Sequence, residues 1–121
     1  MTKVLVVEDN PLNMELVLEI LIANGITAHE AIDGEEAVKK AEQEVYCLIL
    51  MDIELPCMDG IEAAKIIKSK NKKVTIIALT SYAMKGDKER FLAAGFDAYI
   101  AKPIEVSDFM KKLEKYINNE K

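Results

Sequence analysis

The sequence has 121 residues, a length typical of one domain with its own hydrophobic core. Half of the residues are hydrophobic and 31% are charged, a balance typical of a folded globular domain rather than a disordered chain. The net charge of −5 argues against direct binding to nucleic acid, and no apolar stretch approaches the roughly 18 residues of a membrane span.

Five strand-like segments, four of them apolar, alternate with five helical patterns along the chain, a succession typical of βα units and a parallel sheet. The third of the five segments contains no charged residue before its end, which predicts a central strand buried on both faces. We therefore predict an α/β fold with a doubly wound, five-stranded parallel sheet made of five βα units. The predicted strands are Lys3–Val7, about Thr27–Ala31, Cys47–Met51, Val74–Leu79 and Asp97–Ala101.

The helices are predicted from capping residues and from apolar residues at helical spacing. Asn10 and Pro11 begin the first helix, and Gly25 ends it. Asp33-Gly34 begins the second helix, a helix after Gly60 is the third, Met84–Ala94 is the fourth, and the fifth starts near Glu105–Ser107. The residues predicted to face the core are Leu12, Leu16, Val17, Ile20 and Leu21 in the first helix, Ala37, Val38 and Ala41 in the second, Ile61, Ala64 and Ile67 in the third, and Phe109, Met110, Leu113 and Ile117 in the fifth.

The chain is predicted to form one domain over residues 1–121, without a linker, a repeat or an attached output domain. The first residues lead directly into a predicted strand and leave no room for a signal peptide. Cys47 and Cys57 belong to no CxxC or Cys/His cluster, and Cys47 begins an apolar strand, so we expect a reduced thiol there. We therefore expect a cytoplasmic protein without a membrane partner.

The four apolar segments end abruptly in residues that suit phosphate or metal chemistry. Because the carboxyl ends of parallel strands meet at one edge of a sheet, we expect these residues to lie close together. Glu8-Asp9 follow Val4–Val7, Asp52 follows Leu48–Met51, Thr80 follows Ile76–Leu79, and Lys102-Pro103 follow Tyr99–Ala101.

The charges at this edge do not balance. Glu8, Asp9 and Asp52 sum to −3, and Lys102 brings the total to −2. Like charges ~4 Å apart repel by about 4 kcal/mol at an effective dielectric of 20, so the cluster either binds a proton or recruits a cation. The available ligands are oxygens, which suits Mg²⁺, whereas no His or Cys is present at this edge to favour zinc. A metal, a lysine and a hydroxyl in one pocket outline a site for phosphoryl transfer.

These residues, in this order, resemble the receiver domain of two-component response regulators, and the resemblance covers essentially the whole chain. Glu8-Asp9 matches the acidic pair of that family and Asp52 its phospho-accepting aspartate, followed by the matching loop from Ile53 to Gly60. Thr80-Ser81 matches the switch hydroxyl and its small neighbour, Tyr99 the switch aromatic, and Lys102-Pro103 a lysine followed by a proline that is usually cis. The resemblance implies a flavodoxin-like strand order of 2-1-3-4-5.

The resemblance also implies a role for each site residue. Asp52 is expected to attack the phosphorus of a phosphohistidine on a histidine kinase or a histidine phosphotransfer protein. Asp9 and Asp52 are expected to ligate Mg²⁺ directly, with the backbone carbonyl of Glu54 as a third ligand and Glu8 acting through water. Lys102 is expected to pair with a phosphoryl oxygen.

Phosphorylation is expected to act as a switch, because a phosphoryl group carries about one more negative charge than the carboxylate that it replaces. Thr80 would donate its hydroxyl, and Tyr99 would rotate into the space that Thr80 vacates. The change would reach the surface of the fourth helix, fifth strand and fifth helix, where a downstream protein partner would bind. The resemblance implies a monomer or a phosphorylation-dependent dimer.

Two other functions use similar residues. An aspartate-nucleophile phosphatase of the haloacid-dehalogenase type shares the Asp, Thr, Lys and Mg²⁺ chemistry, but it expects an Asp where this chain has Glu54, and a substrate-capping insertion. A flavodoxin-like cofactor carrier expects a phosphate-binding loop where this chain has Glu8-Asp9. We therefore predict a signalling domain that catalyses only its own phosphorylation and dephosphorylation, rather than an enzyme with a separate substrate.

Overall fold

The computed structural model describes residues 3–55, 58–81 and 85–117, with the backbone alone for residues 85–88. Within these ranges, strands and helices alternate in the predicted order. The strands are β1 (Lys3–Val7), β2 (Thr27–Ala31), β3 (Leu48–Asp52), β4 (Thr75–Thr80) and β5 (Ala98–Ala101). The helices are α1 (Pro11–Ala23), α2 (Gly34–Gln43), α3 (Gly60–Lys70), α4 (Lys85–Ala94) and α5 (Val106–Ile117).

The strands form one parallel sheet in the order β2-β1-β3-β4-β5, which confirms the predicted fold class and strand order. β3 and β4 each extend to the polar residue that was predicted to follow them. Asp52 pairs with Leu79, and Thr80 pairs with Ala101, so both polar residues are still held in the ladder of strands. This pairing fixes the backbone under two of the predicted site residues.

Each face of the sheet has its own hydrophobic core, because successive residues of a strand point to opposite faces. One core joins Val4, Val6, Leu48 and Leu50 to α1 and α5, and the other joins Leu5, Val7, Ile49 and Met51 to α2, α3 and α4. All the strand residues in these two groups are fully buried, as predicted for central strands. Helices on both faces are the doubly wound arrangement.

The first helix buries most of the face that was predicted for it, with Leu16 partly buried and Leu12 as the exception. Leu12 is 77% exposed, and Met14 is buried in its place, together with Val17, Ile20 and Leu21. The reason is geometric, because residues two apart lie on opposite sides of a helix, and Met14 shares a face with Val17 and Leu21. In α5, Phe109 and Leu113 are buried as predicted, whereas Met110 and Ile117 are only partly buried.

The start of α1 follows the predicted cap. The side-chain oxygen of Asn10 accepts hydrogen bonds from the N–H groups of Leu12 and Asn13 at 2.9 and 3.1 Å, and Pro11 occupies the first helical position. Met84, the predicted first residue of the fourth helix, lies outside the described residues. In the part of the chain that is described, no helix is long and apolar enough to cross a membrane.

Candidate functional site

Three carboxylates meet at the carboxyl edge of the sheet. Glu8 and Asp9 directly follow β1, and Asp52 is the last residue of the neighbouring strand β3. One oxygen from each carboxylate lies within 4.8 Å of the other two. Glu8 and Asp52 are buried, with 1% and 3% of their surface exposed, whereas Asp9 is exposed. The adjacency of β1 and β3 in the sheet therefore produces the predicted cluster.

Lys102 lies between the two buried carboxylates. Its Nζ is 2.9 Å from Oε1 of Glu8 and 2.9 Å from Oδ2 of Asp52. The backbone N–H of Lys102 donates to the carbonyl oxygen of Thr80 at 2.8 Å, which ties the residue to the end of β4. The peptide bond between Lys102 and Pro103 is cis, as the resemblance implied. One ammonium thus offsets part of the charge of two carboxylates.

Burial, beside a second carboxylate, shifts the pKa of Glu8. Burial, with the Asp52 carboxylate beside it, raises the pKa of Glu8 from 4.5 to about 7, against the lowering effect of Lys102. Burial alone would lower the pKa of Lys102, but Glu8 and Asp52 together raise that pKa above its ordinary value. Glu8 can therefore bind a proton near neutral pH, which is one of the two outcomes expected for this cluster.

Both oxygens of Asp52 are engaged. Oδ2 accepts a hydrogen bond from Lys102, and Oδ1 accepts one from the backbone N–H of Glu54 at 3.0 Å. The side chain of Glu54 is exposed, so this residue acts on Asp52 through its backbone. The hydrogen bond was not expected from the sequence, because it depends on the path of the loop after β3. The proposed role of the Glu54 carbonyl as a metal ligand stays a prediction.

Gly60 is a second residue whose importance the sequence did not reveal. A Cβ atom at this position would lie 2.1 Å from the carbonyl oxygen of Asp52 and 2.9 Å from Cα of Ile53. The N–H of Gly60 donates to the carbonyl of Ile53 at 3.0 Å. The start of α3 therefore packs directly on the backbone of the phospho-acceptor candidate, where a side chain has no room. The only sequence signal is the Asp59-Gly60 pair at the end of the loop. Pro56 and Cys57 of that loop lie outside the described residues.

The two predicted switch residues lie on neighbouring strands. Thr80 is 1% exposed at the end of β4, and Tyr99 on β5 pairs with Ala78, two residues before Thr80. Residues two apart on a strand share a face, so Thr80 and Ala78 point to the face on which the ring of Tyr99 packs. The ring is half-buried and its centroid is 6.5 Å from that of Phe91 on α4. Tyr99 thus lies beside the site rather than in it.

The donor set fits a divalent cation. The cluster offers carboxylate oxygens alone, and the hard cation Mg²⁺ prefers such ligands. Among the described residues, Oε1 of Glu8 is a buried oxygen without a hydrogen bond, since its approach to Lys102 has an ion-pair distance but not hydrogen-bond geometry. A buried acceptor of this kind is costly unless a proton or a cation satisfies it. The residues present therefore fit the predicted magnesium site.

Known proteins share this sequence pattern over nearly the whole chain. Residues 4–114 match the family model of the response regulator receiver domain. The polar-differentiation response regulator DivK of Brucella ovis is 41% identical over 122 residues, which cover 98% of this chain and 99% of DivK. Hybrid signal transduction histidine kinase G of Dictyostelium discoideum is 40% identical over 119 residues, and the match spans 94% of this chain but only 4% of that kinase.

Solved structures share the fold. One is the receiver domain of sensor histidine kinase PA1611 from Pseudomonas aeruginosa PAO1, whose structure has a magnesium ion coordinated in the active site cleft. It superimposes on this chain with a TM-score of 0.90 at 38% sequence identity, and the match covers 97% of this chain and 98% of that chain. Another is the receiver domain of the response regulator Ssk1 from Saccharomyces cerevisiae, which was crystallised with the histidine phosphotransfer signalling protein Ypd1. Its TM-score is 0.92 at 31% sequence identity, and the match covers 98% of this chain and 90% of that chain.

Proposed function

The chain belongs to the response regulator receiver domain family, and on this premise we propose that it accepts a phosphoryl group on Asp52. As a receiver domain it acts in two-component or phosphorelay signal transduction. The observation that carries the proposal is the environment of Asp52. This buried carboxylate ends a central strand, with Lys102 on one oxygen, the Glu54 amide on the other and two further carboxylates beside it.

The proposed donor is a phosphohistidine on a histidine kinase or a histidine phosphotransfer protein. A carboxylate oxygen of Asp52 attacks the phosphorus, a P–O bond forms, and the P–N bond breaks. The electron pair of that bond stays on the imidazole nitrogen, which then takes a proton from water. The complex of Ssk1 with Ypd1 supports this class of partner, because there a similar receiver domain binds a histidine phosphotransfer protein.

The neighbours of Asp52 orient and neutralise the reacting groups. Lys102, whose Nζ lies 2.9 Å from Asp52, would pair with a phosphoryl oxygen, and the hydrogen bond from the Glu54 amide would orient the carboxylate. Asp9 and Asp52 would hold Mg²⁺ directly, with the Glu54 carbonyl as a further ligand and Glu8 acting through water. When bound, the ion supplies positive charge that counters both the carboxylates and the transferring group. The domain would catalyse only this transfer and the later hydrolysis of its own phosphoryl group.

Phosphorylation would then change the surface formed by α4, β5 and α5. Moving a switch from 1:99 to 99:1 takes ~5.5 kcal/mol of differential stabilisation. Hydrogen bonds to charged groups contribute about 1.5–3 kcal/mol each, so a few new bonds to a phosphoryl group suffice. Thr80 would supply one such bond, and its shift would open space for the ring of Tyr99 on the same face of the sheet. A downstream protein would read this surface, with the domain as a monomer or as a phosphorylation-dependent dimer.

The phosphatase alternative has no comparable support. It requires an acid/base carboxyl two residues after the nucleophile, whereas the side chain of Glu54 is exposed and its backbone N–H faces Asp52. The relatives of the chain include a response regulator and a hybrid histidine kinase, and the family model that matches is that of the receiver domain. We propose a cytoplasmic signalling domain.

The proposal is tested by transfer from a labelled donor. Histidine kinases and phosphotransfer proteins carrying a ³²P-phosphohistidine are mixed with the domain, with and without Mg²⁺. We expect Mg²⁺-dependent label on the wild type and none on Asp52→Asn, whose carboxamide is a poor nucleophile of nearly the same size. Asp59→Asn is the matched control, because Asp59 is an exposed helix cap and its variant should be labelled normally. Label that persists on Asp52→Asn would show that another residue accepts the phosphoryl group.

A further inference from the structure

We propose that Lys112 is a positioning residue that holds the ring of Tyr99 in the groove between α4 and α5, and so sets the resting position of the switch. This residue belongs to none of the motifs that define the site. The proposal rests on the proposed function only for what the movement of the ring achieves. The position of the ring itself is a property of the unphosphorylated domain and can be measured there.

Lys112 contacts Tyr99 at two points. Its Nζ lies 5.5 Å from the centroid of the Tyr99 ring, within the range of a cation–π interaction, and donates to the carbonyl oxygen of Tyr99 at 3.4 Å. The Asp108 carboxylate, one helical turn earlier on α5, lies 3.6 Å from the same ammonium and directs it. Lys112 therefore holds both the ring and the backbone of a single residue.

The reach of Lys112 follows from the order of the strands. β5 is at the edge of the sheet, so its outer side carries backbone groups without a neighbouring strand. α5 packs on one face through Phe109 and Leu113, whereas the ring of Tyr99 packs on the opposite face, against Phe91. The side chain of Lys112 spans the edge between them. The contact thus links α5 to a ring on the other side of the sheet.

The ring of Tyr99 lines a groove in this structure. The groove has a volume of about 280 Å³, and Phe91, Lys112 and Tyr116 also line it. The other position proposed for the ring is toward Thr80, which follows Ala78 on the same face of β4 and would have to shift to admit the ring. The cation–π contact with Lys112 holds the ring in the groove and is lost when the ring moves toward Thr80, whereas the hydrogen bond to the backbone carbonyl of Tyr99 keeps the ammonium beside the groove. An interaction made in one of two states shifts the population toward that state.

The expected size of the effect is modest. A cation–π contact at a partly exposed site corresponds to a roughly two- to fivefold change in an equilibrium constant. Loss of Lys112 should therefore raise the ratio of inward to groove positions of Tyr99 by a factor of about two to five. The phosphoryl acceptor itself should react as before, because Lys112 has no contact with Asp52 or Lys102 among its described interactions.

The test compares Lys112→Ala with Lys111→Ala and Lys112→Arg. Lys111 is exposed and adjacent on α5, so its variant removes the same charge and leaves the Tyr99 contact in place. Arg keeps a cation that can lie over the ring and donate to the carbonyl. The readout is NMR of ring-labelled tyrosine in unphosphorylated, Mg²⁺-free protein, as the ratio of Tyr99–Thr80 methyl cross-peaks to Tyr99–Phe91 cross-peaks. We expect a roughly two- to fivefold rise in this ratio for Lys112→Ala, and wild-type ratios for the other two variants.

An unchanged ratio in Lys112→Ala and in a second variant, Lys112→Gln, would overturn the proposal. An equal rise in Lys111→Ala would also overturn it, because the effect would then come from helix charge rather than from the contact. Failure of phosphorylation to move the ring would count against the proposed function rather than against the role of Lys112. If Lys112→Ala moves the ring but phosphorylation of the wild type does not, Lys112 positions Tyr99 and the ring is not the switch.

Discussion

The proton on Glu8 gives the most quantitative prediction. Glu8 is buried beside Asp52, and its pKa is raised from 4.5 to about 7. In the unfolded chain the carboxyl ionises near its ordinary value, so between these two pH values the unfolded state releases a proton that the folded state keeps. The stability that this proton provides is fully present below pH 4.5 and is lost as the pH rises through 7.

The size of the loss follows from the shift. A shift from 4.5 to about 7, at 1.36 kcal/mol per pKa unit, corresponds to roughly 3 kcal/mol. The Mg²⁺-free domain should therefore lose roughly 3 kcal/mol of unfolding free energy to this group between pH 4.5 and pH 7. Mg²⁺ would take the place of the proton above pH 7, and at a hundred times its Kd a ligand that binds only the folded state would restore about 2.7 kcal/mol.

The assay is urea unfolding of Mg²⁺-free protein at a series of pH values, for the wild type and Glu8→Gln. Glutamine keeps the size of the side chain but cannot ionise, so the difference between the two curves isolates Glu8 from the other titrating groups. Glu15→Gln is the matched control, because Glu15 is exposed on α1 nearby. Parallel curves for the wild type and Glu8→Gln from about pH 4.5 to pH 8 would refute this description of the cluster.

Three further predictions concern the other site residues. Asp9→Asn should weaken Mg²⁺ binding by roughly tenfold or more in a calorimetric titration, since it removes one carboxylate of three; wild-type affinity would mean that Asp9 is not a ligand. Gly60→Ala should lower the free energy of unfolding by about 1–3 kcal/mol, because the added Cβ meets the carbonyl of Asp52; an unchanged urea midpoint would contradict this packing. Thr80→Ala should accept phosphate at the wild-type level but lose the difference in downstream-partner affinity between phosphorylated and unphosphorylated protein. Normal phosphorylation-dependent binding by that variant would exclude Thr80 as the sensor.

The proximity of the site residues could be predicted from the sequence because these residues lie at the ends of strands. Glu8, Asp52 and Lys102 each follow or end an apolar strand, and parallel strands present their carboxyl ends at one edge. Periodicity alone does not give the order of the strands, which was predicted from the resemblance to receiver domains. Once the order is 2-1-3-4-5, β3 lies between β1 and β4, and Asp52 takes the central position.

The details that escaped prediction depend on backbone paths and on ambiguous patterns. The hydrogen bond from the Glu54 amide and the close approach of Gly60 both arise from the course of the loop after β3. The burial of Leu12 was predicted wrongly because α1 is apolar nearly all round, with Leu12 and Ile22 exposed by 77% and 67%. Periodicity cannot distinguish the buried stripe of such a helix. Nothing in the sequence indicated the role of Lys112, because its contact with Tyr99 crosses the edge of the sheet and depends on how α5 packs beside β5.

The central claim, that Asp52 is the phosphoryl acceptor, is tested most directly by chemical mapping. The domain is incubated with Mg²⁺ and phosphoramidate, which carries a P–N bond as phosphohistidine does, and the acyl phosphate is then reduced with borohydride. Reduction converts a phosphorylated aspartate to homoserine, which peptide mass spectrometry locates. We predict homoserine at position 52 in the wild type, and none in the absence of Mg²⁺. Homoserine at position 9 with Asp52 unmodified would contradict the proposed function.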